Sequence, residues 1–462
     1  MTRNIFSITS LLYFLVFLPL SGFSQEADAL KKENQLLKEQ LKRMDELEIR
    51  LAELEGDKDK LQNKRPPAGI GDTIPSEMLD IPNSDLRESH QILTGSELVA
   101  DNFPASWPMF GSEYRMKIGG RVKLDMLYDF NGTSDRNQFL MSQIPINGSP
   151  EEANRGYFNM FVRESRFSID MRRVTAGKVP LNIFIEGDFW ASTNNANYRL
   201  RHAYIVVGNF IFGQTWTTTS IMESIPNIID FAAGDALYGG RAAQIKYQKR
   251  INDKWKWAAG IEMMDYIGID NAFNQPGSAS LGLPAIGGRL DYSWKTGMLA
   301  LGVNLAQMRW DGGDSLYTTA SQIAMVIGGR QYVGKDFFTF NVALGKGSGD
   351  NIMALTGSNS NAILTPDGEL ETMPAIAVLL GYVHKWNDRF TTNASVAYTT
   401  LDPSEYRAPE SMKAAAIGHI NLIYQATERL YAGIEYMWGE RMNKNSDFGR
   451  ANRVQAMVKF DF

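Results

Sequence analysis

The sequence predicts an all-β fold: a transmembrane antiparallel β-barrel of about 16 strands with an N-terminal α-helical coiled coil. Three observations carry this. From residue 111 to 462 polar and apolar side chains alternate with period two, over segments longer than the ~5–6 residues of a soluble strand. Short and long connections alternate between those segments. Aromatic residues sit at the segment ends, as an interfacial girdle requires.

The elements follow in chain order. Residues 1–24 read as a secretory signal peptide: Arg3, an apolar run from Ile5 to Leu20, then Gly22-Phe23-Ser24 before a cut at Gln25. No later segment offers the ~18 apolar residues of a spanning helix. Residues 25–62 read as a coiled coil, because Leu30, Asn34, Leu37, Leu41 and Met44 alternate three and four residues apart. The stripe then slips to Leu47, Leu51, Leu54 and Leu61, as a stammer would cause. Residues 63–110 carry Pro66, Pro67, Pro75, Pro82, Pro104 and Pro108 and read as a linker, with a short helix near Ser84 to Ala100.

Residues 111–462 form the expected barrel. Between Met116 and Phe130, even positions are apolar (Ile118, Val122, Leu124, Tyr128) and odd ones polar or charged (Lys117, Arg121, Lys123, Asp125, Asp129). Segments of this kind start near 115, 157, 178, 198, 209, 241, 254, 286, 298, 319, 335, 373, 388, 412, 429 and 448, with weak alternation at 319–331. Every second link is tight, such as Gly208-Asn209, Asn252-Asp253 and Thr296-Gly297. The others run long, about 131–156, 218–240, 265–285 and 346–372. A sandwich also alternates, but Trp190, Trp255, Trp257, Trp294, Trp310, Trp386 and Trp438 near strand ends, and a last strand ending in Phe462, favour a closed membrane wall. An even strand number puts both chain ends on the short-turn, periplasmic side, with the coiled coil there.

Composition removes several functions. Zero Cys excludes disulfides, Cys-ligated metal and a thiol nucleophile. Four His, none three or four residues from another, leave no expected metal or cofactor. A net charge of -5 gives no support for nucleic acid. No Gly-x-Ser-x-Gly elbow appears, so an enzyme is not expected.

Alternation turns Arg121, Lys123, Arg199, Arg201, Arg289 and Arg453 into a sixteen-strand lumen, and Arg241 stands where the third long loop rejoins the wall. Guanidinium groups on a lumen wall favour small anions. The third loop, Thr218 to Gly240, contains Ile225-Pro226-Asn227-Ile228-Ile229-Asp230-Phe231. Such an apolar loop is expected to fold inward, with Asp230 and Asp235 facing the basic strands.

Gly119-Gly120-Arg121-Val122-Lys123-Leu124-Asp125, Arg199-Leu200-Arg201-His202-Ala203-Tyr204, Gly213-Gln214-Thr215-Trp216 and Ile229-Asp230-Phe231 resemble the DcaP-like outer-membrane porins. The resemblance covers about 111–250 by motif. It implies a homo-trimer in outer-membrane lipid, a passive channel for small hydrophilic anions such as dicarboxylates. Arg121, Arg199, Arg201 and Arg241 would then line the constriction formed by the loop around Asp230, and Phe462 would be read by the barrel-assembly machinery. The segment Ala232-Ala233-Gly234-Asp235 lacks the Gly-Pro often found there. The alternatives are a phosphate-type anion porin and a mainly structural envelope tether.

Overall fold

The protein is described by a computed structural model, covering residues 92–101, 103–109, 113–173, 175, 177–191, 196–232, 235–264, 267–313 and 316–462. The expected signal peptide, coiled coil and most of the linker lie outside these residues.

Among the described residues, sixteen antiparallel strands form one wall, and a short strand Trp107–Met109 pairs with the start of the first of them. The sixteen are β1 (Tyr114–Asp129), β2 in two pieces (Tyr157–Phe161 and Arg166–Arg173), β3 (Leu181–Asp188), β4 (Arg199–Val207), β5 (Phe210–Trp216) and β6 (Arg241–Arg250). Then follow β7 (Trp255–Met263), β8 (Ser278–Trp294), β9 (Gly297–Asp311), β10 (Tyr317–Val333) and β11 (Asp336–Lys346). The wall continues with β12 (Pro374–Lys385), β13 (Phe390–Leu401), β14 (Met412–Gln425), β15 (Leu430–Asn443) and β16 (Phe448–Asp461). Consecutive strands pair, and β16 returns to β1 from Arg121↔Asp461 to Asp129↔Arg453. That closure leaves no sheet edge with unpaired backbone in hydrocarbon. Among the described residues no helix is long and apolar enough to cross a membrane.

The alternation seen in the sequence places side chains as expected on β1: Lys123, Asp125, Leu127 and Asp129 are buried inside, while Val122, Tyr128 and Phe130 are exposed. The outer face carries Ile420, Leu422, Ile434 and Tyr436 in the same way. Ile420→Lys should therefore cost about 2–4 kcal/mol of folding stability, the range for a cation on the lipid face near the bilayer middle. Denaturant unfolding in lipid vesicles measures it.

Two girdle assignments are corrected. Trp190 and Trp310 are buried, at 8% and 5% exposure, and point inward. Trp190 stacks on Phe231 of the third loop, and Trp310 joins an interior cluster with Ile269, Met308, Ala362 and Leu364. Trp255, Trp386 and Trp438 remain on the outside.

The lumen is also not evenly polar. The inner faces of β9 to β16 present Ala300, Ala324, Val326, Ala343, Ala377, Leu379, Ala397, Ile417, Met437 and Ala451. Against them pack Phe139, Met141 and Ile144 of the first loop, Ile221, Ala236 and Tyr238 of the third, and Ile352, Ala354 and Leu355 of the loop after β11. Infolded loops thus pack an apolar core against the inner faces of β9 to β16. Small wall residues there leave room for the loops, since close packing rejects both gaps and overlaps.

The short-turn mouth holds a second filling. A helix, α1 (Gly95–Ala100), sits inside the wall, with Leu98 only 1% exposed against Phe184, Tyr204, Val206 and Ile211. The Gly95 amide donates to the Gly208 carbonyl at 2.7 Å, and Gln248 Nε2 donates to the Ile92 carbonyl at 2.8 Å. Glu97 accepts from Arg250 Nε at 2.7 Å, and Asp101 pairs with Arg172. Residues 84–91 of the expected helix lie outside the described residues, and the described end of the linker narrows the mouth. An aspartate at position 98 would need several kcal/mol to stay buried without a partner. Leu98→Asp should release this strap and raise single-channel conductance, read in planar bilayers.

Candidate permeation site

Beside the packed region an open cavity lies along β2 to β6. Arg163, Arg166, Arg199, Arg201 and Arg241 converge there on a cavity of about 540 Å³. Phe231, Met222, Ile225, Leu237 and Met353 from the infolded loops line the same cavity, as do the acidic Asp135, Glu164, Asp230 and Asp350.

Arg199 and Arg201 are set by an irregularity in β4. Glu186 pairs with His202, Gly187 with Leu200 and Asp188 with Arg199, so Arg201 is an extra residue in the ladder. The bulge lets Arg199, Arg201 and His202 all avoid the lipid face. Asp188, fully buried, is shared: it accepts from Arg199 at 2.8 and 3.0 Å and from Arg201 Nη1 at 2.7 Å. Arg201 Nε also donates to Glu186 at 2.9 Å. The Arg199 side chain stays 32% exposed and lines the cavity. His202, 1% exposed, hydrogen-bonds Thr215 Oγ1 at 2.9 Å and belongs to the wall.

Aromatic rings hold the remaining cations in place. The Arg199 and Arg201 guanidinium groups lie 5.8 and 6.0 Å from the Phe231 ring, Arg163 lies 4.8 Å from Trp190, and Arg241 lies 4.7 Å from Trp216. Phe231 stacks on Trp190 at 4.5 Å. Such contacts orient a guanidinium without neutralising it. Arg163 escaped the sequence reading because β2 breaks between Phe161 and Arg166, where simple alternation fails. Trp190 escaped because an aromatic at a strand end reads as girdle.

The other expected lumen residues are placed differently. Lys123 is 2% exposed and gives Nζ to Glu164 at 2.5 Å, Asp125 at 3.1 Å and the Ile229 carbonyl at 2.8 Å. Arg289 holds Glu223 at 2.9 Å and Asp291 at 2.7 Å. Arg453 is fully buried and binds Asp129 at 2.9 Å, Tyr157 at 2.8 Å and the Asp135 carbonyl at 2.8 Å, fixing the first loop. Arg121 stands near Asp461 at 3.8 Å, away from the cavity lining.

Asp230 lines the same cavity as Arg199, Arg201 and Arg241, and both Asp230 and Asp235 also hold the first loop. Each is about fully buried and turned to the first loop: Asp230 accepts from the Phe139 amide at 3.1 Å, Asp235 from the Met141 amide at 2.6 Å. The Asp235 carbonyl also accepts from the Ala354 amide at 2.8 Å, and its φ of +60° is the left-handed turn that lets it reach both loops. Burial, the largest influence, pushes the Asp230 carboxyl up; His419 opposes the rise and Glu435 adds to it. Glu435 pins the same loop, accepting from the Ile229 and Asp230 amides at 2.7 and 2.9 Å.

A closed wall with an apolar exterior, an aromatic girdle and a lumen narrowed by an infolded third loop defines an outer-membrane β-barrel of porin architecture. The DcaP outer membrane protein family matches residues 96–462, and the chain belongs to that family. The crystal structure of the outer membrane channel DcaP of Acinetobacter baumannii is similar, with a TM-score of 0.66 and 18% identity over 80% of this chain and 100% of that one. OmpT of Vibrio cholerae has a TM-score of 0.47 at 13% identity, over 77% of this chain and 99% of that one. OmpF of Salmonella typhi, solved with daunomycin, has a TM-score of 0.47 at 9% identity over the same shares. No curated protein matches the sequence.

Proposed function

We propose that this outer-membrane barrel is a passive diffusion channel that favours small hydrophilic anions such as dicarboxylates. The observation that carries this reading is the convergence of five arginines on a single cavity that apolar loop residues also line. A dianion passing Arg199 replaces water with donors already oriented by Asp188 and Phe231, which lowers the barrier to crossing. The Acinetobacter relative is described as a channel, which fits. The reading extends to a homo-trimer, a signal peptide at 1–24, a periplasmic coiled coil at 25–62 joined by the linker 63–110, and recognition of Phe462 by the barrel-assembly machinery.

The test is current through single channels in a planar bilayer under a potassium chloride gradient. A reversal potential on the chloride side supports the reading, and one on the potassium side overturns the selectivity. Block of that current by succinate more than by phosphate separates the dicarboxylate channel from a phosphate-type porin.

A further inference from the structure

The charges on the short-turn rim are not used by the passage, and they follow a pattern. Of the seven tight turns, six carry a Lys or Arg: Lys178, Lys254, Lys295, Lys335, Arg389 and Arg429, all exposed. Acids accompany three of these turns, as Asp253, Asp388 and Glu428. The turns at Lys295 and Lys335 hold no acid in the links 295–296 and 334–335. Asp336, next in sequence, is engaged by Tyr382 at 2.7 Å and His384 at 2.8 Å.

Directly beside these cations runs the aromatic girdle. Trp255 lies 4.6 Å from Tyr292, Tyr292 lies 5.8 Å from Trp294, and Phe338 lies 4.7 Å from Tyr382. Rings of this kind rest at the headgroup level. The far rim is mixed in sign: Asp367, Glu369, Glu371, Asp402, Glu405 and Glu410 are exposed on the loops there, beside exposed Arg136, Arg155, Lys346, Lys413 and Arg450. The hairpins bearing Lys295 and Lys335 are two strand spacings apart, roughly 10 Å, a gap that one phospholipid headgroup fills.

We infer that the sector formed by Lys254, Lys295 and Lys335, with Trp255, Trp294 and Phe338 behind it, binds anionic phospholipid of the inner leaflet of the outer membrane. This rests on the outer-membrane placement of the barrel with its short turns toward the periplasm. The ammonium groups meet the phosphate and the additional headgroup charge, while the rings pack on the upper acyl chain. A zwitterionic lipid offers the same chain and phosphate but cancels the charge.

The girdle tryptophans report the contact themselves. The full chain is reconstituted into vesicles of phosphatidylethanolamine and phosphatidylglycerol, one of them brominated at a time, and tryptophan quenching gives their relative binding. The expected result is a preference of about fivefold for phosphatidylglycerol, the scale of one surface cation per anionic lipid. It should fall toward unity at high salt. Lys254→Gln, Lys295→Gln and Lys335→Gln together should bring it to unity with the barrel still heat-modifiable on gels. Glu369→Gln with Glu371→Gln on the far rim should leave it unchanged. Equal quenching in the native protein, or a preference that survives the triple substitution, overturns the inference. Binding of cell-wall fragments lost in that variant, with equal lipid quenching, also overturns it. Quenching by neither lipid removes the membrane placement itself.

Discussion

Replacing Arg199 and Arg201 together with glutamine is expected to reverse the charge preference of the channel, from chloride to potassium. Both guanidinium groups neutralise Asp188, which has no exposed surface, and Arg201 also neutralises Glu186. Removing them subtracts two positive charges and leaves Asp188 and Glu186 without these counter-charges behind the cavity wall. Two unit charges 5 Å apart interact by about 3 kcal/mol at an effective dielectric of 20, and by under about 1 kcal/mol in water. Each lost cation is then worth ~1–3 kcal/mol to a passing anion, so the permeability ratio should change by at least about tenfold. The reversal potential in a salt gradient reads it. Arg199→Gln alone should have a smaller effect, because Arg201 still holds Asp188. Arg453→Gln is the contrast: it lies outside the passage, bound to Asp129 and Tyr157. Selectivity should persist there, while breaking a buried pair costs about 3–5 kcal/mol of stability. If Arg453→Gln moved the reversal potential as much as the double change, the position of the passage along β2 to β6 would be wrong.

Much of the wall was legible because period two is imposed on every strand by oil outside and a different environment inside. Fifteen of the sixteen expected strand starts fall within three residues of those found. The exception, 286 against Ser278, has a local cause: β8 shifts register between Leu281 and Leu283 and again between Leu283 and Ile286. Pro284 stands in that stretch and donates no ladder hydrogen bond. Weak alternation at 319–331 also has a meaning. Ala324 and Val326 face inward but meet Ile221 and other loop side chains instead of water, so both faces of β10 are apolar. The interior was less legible for the same reason. Alternation says which residues point inward, but not whether they meet water, a partner charge or a loop. Lys123, Arg289 and Arg453 share the inward parity of Arg199, and only the tertiary fold separates those that pin loops from those that line the cavity. The third loop was readable as buried from its apolar run, yet the direction of Asp230 and Asp235 depends on the first loop, nearly a hundred residues earlier in the chain.

That dependence makes the third loop the sensitive point of the channel, and Glu435 its main polar anchor to the wall. Its carboxylate takes the Ile229 and Asp230 amides and the Asn421 side-chain amide, at 2.7, 2.9 and 2.8 Å. Glu435→Ala leaves two backbone N–H groups buried without acceptors, at about 1–3 kcal/mol each. The Lys123 bond to the Ile229 carbonyl and the Asp230 bond to the first loop remain. A loss of about 2–6 kcal/mol in all weakens the seat of the loop, so the loop should leave it for part of the time. The barrel itself should stay folded, because its backbone pairing does not pass through Glu435. The expected record is a larger mean current with frequent step-like fluctuations, where the native channel is quiet. Glu435→Gln keeps one carbonyl acceptor and should sit between the two. A quiet, unchanged current in Glu435→Ala would show that Ile225, Ile228 and Ile229, all buried, hold the loop by apolar contact alone.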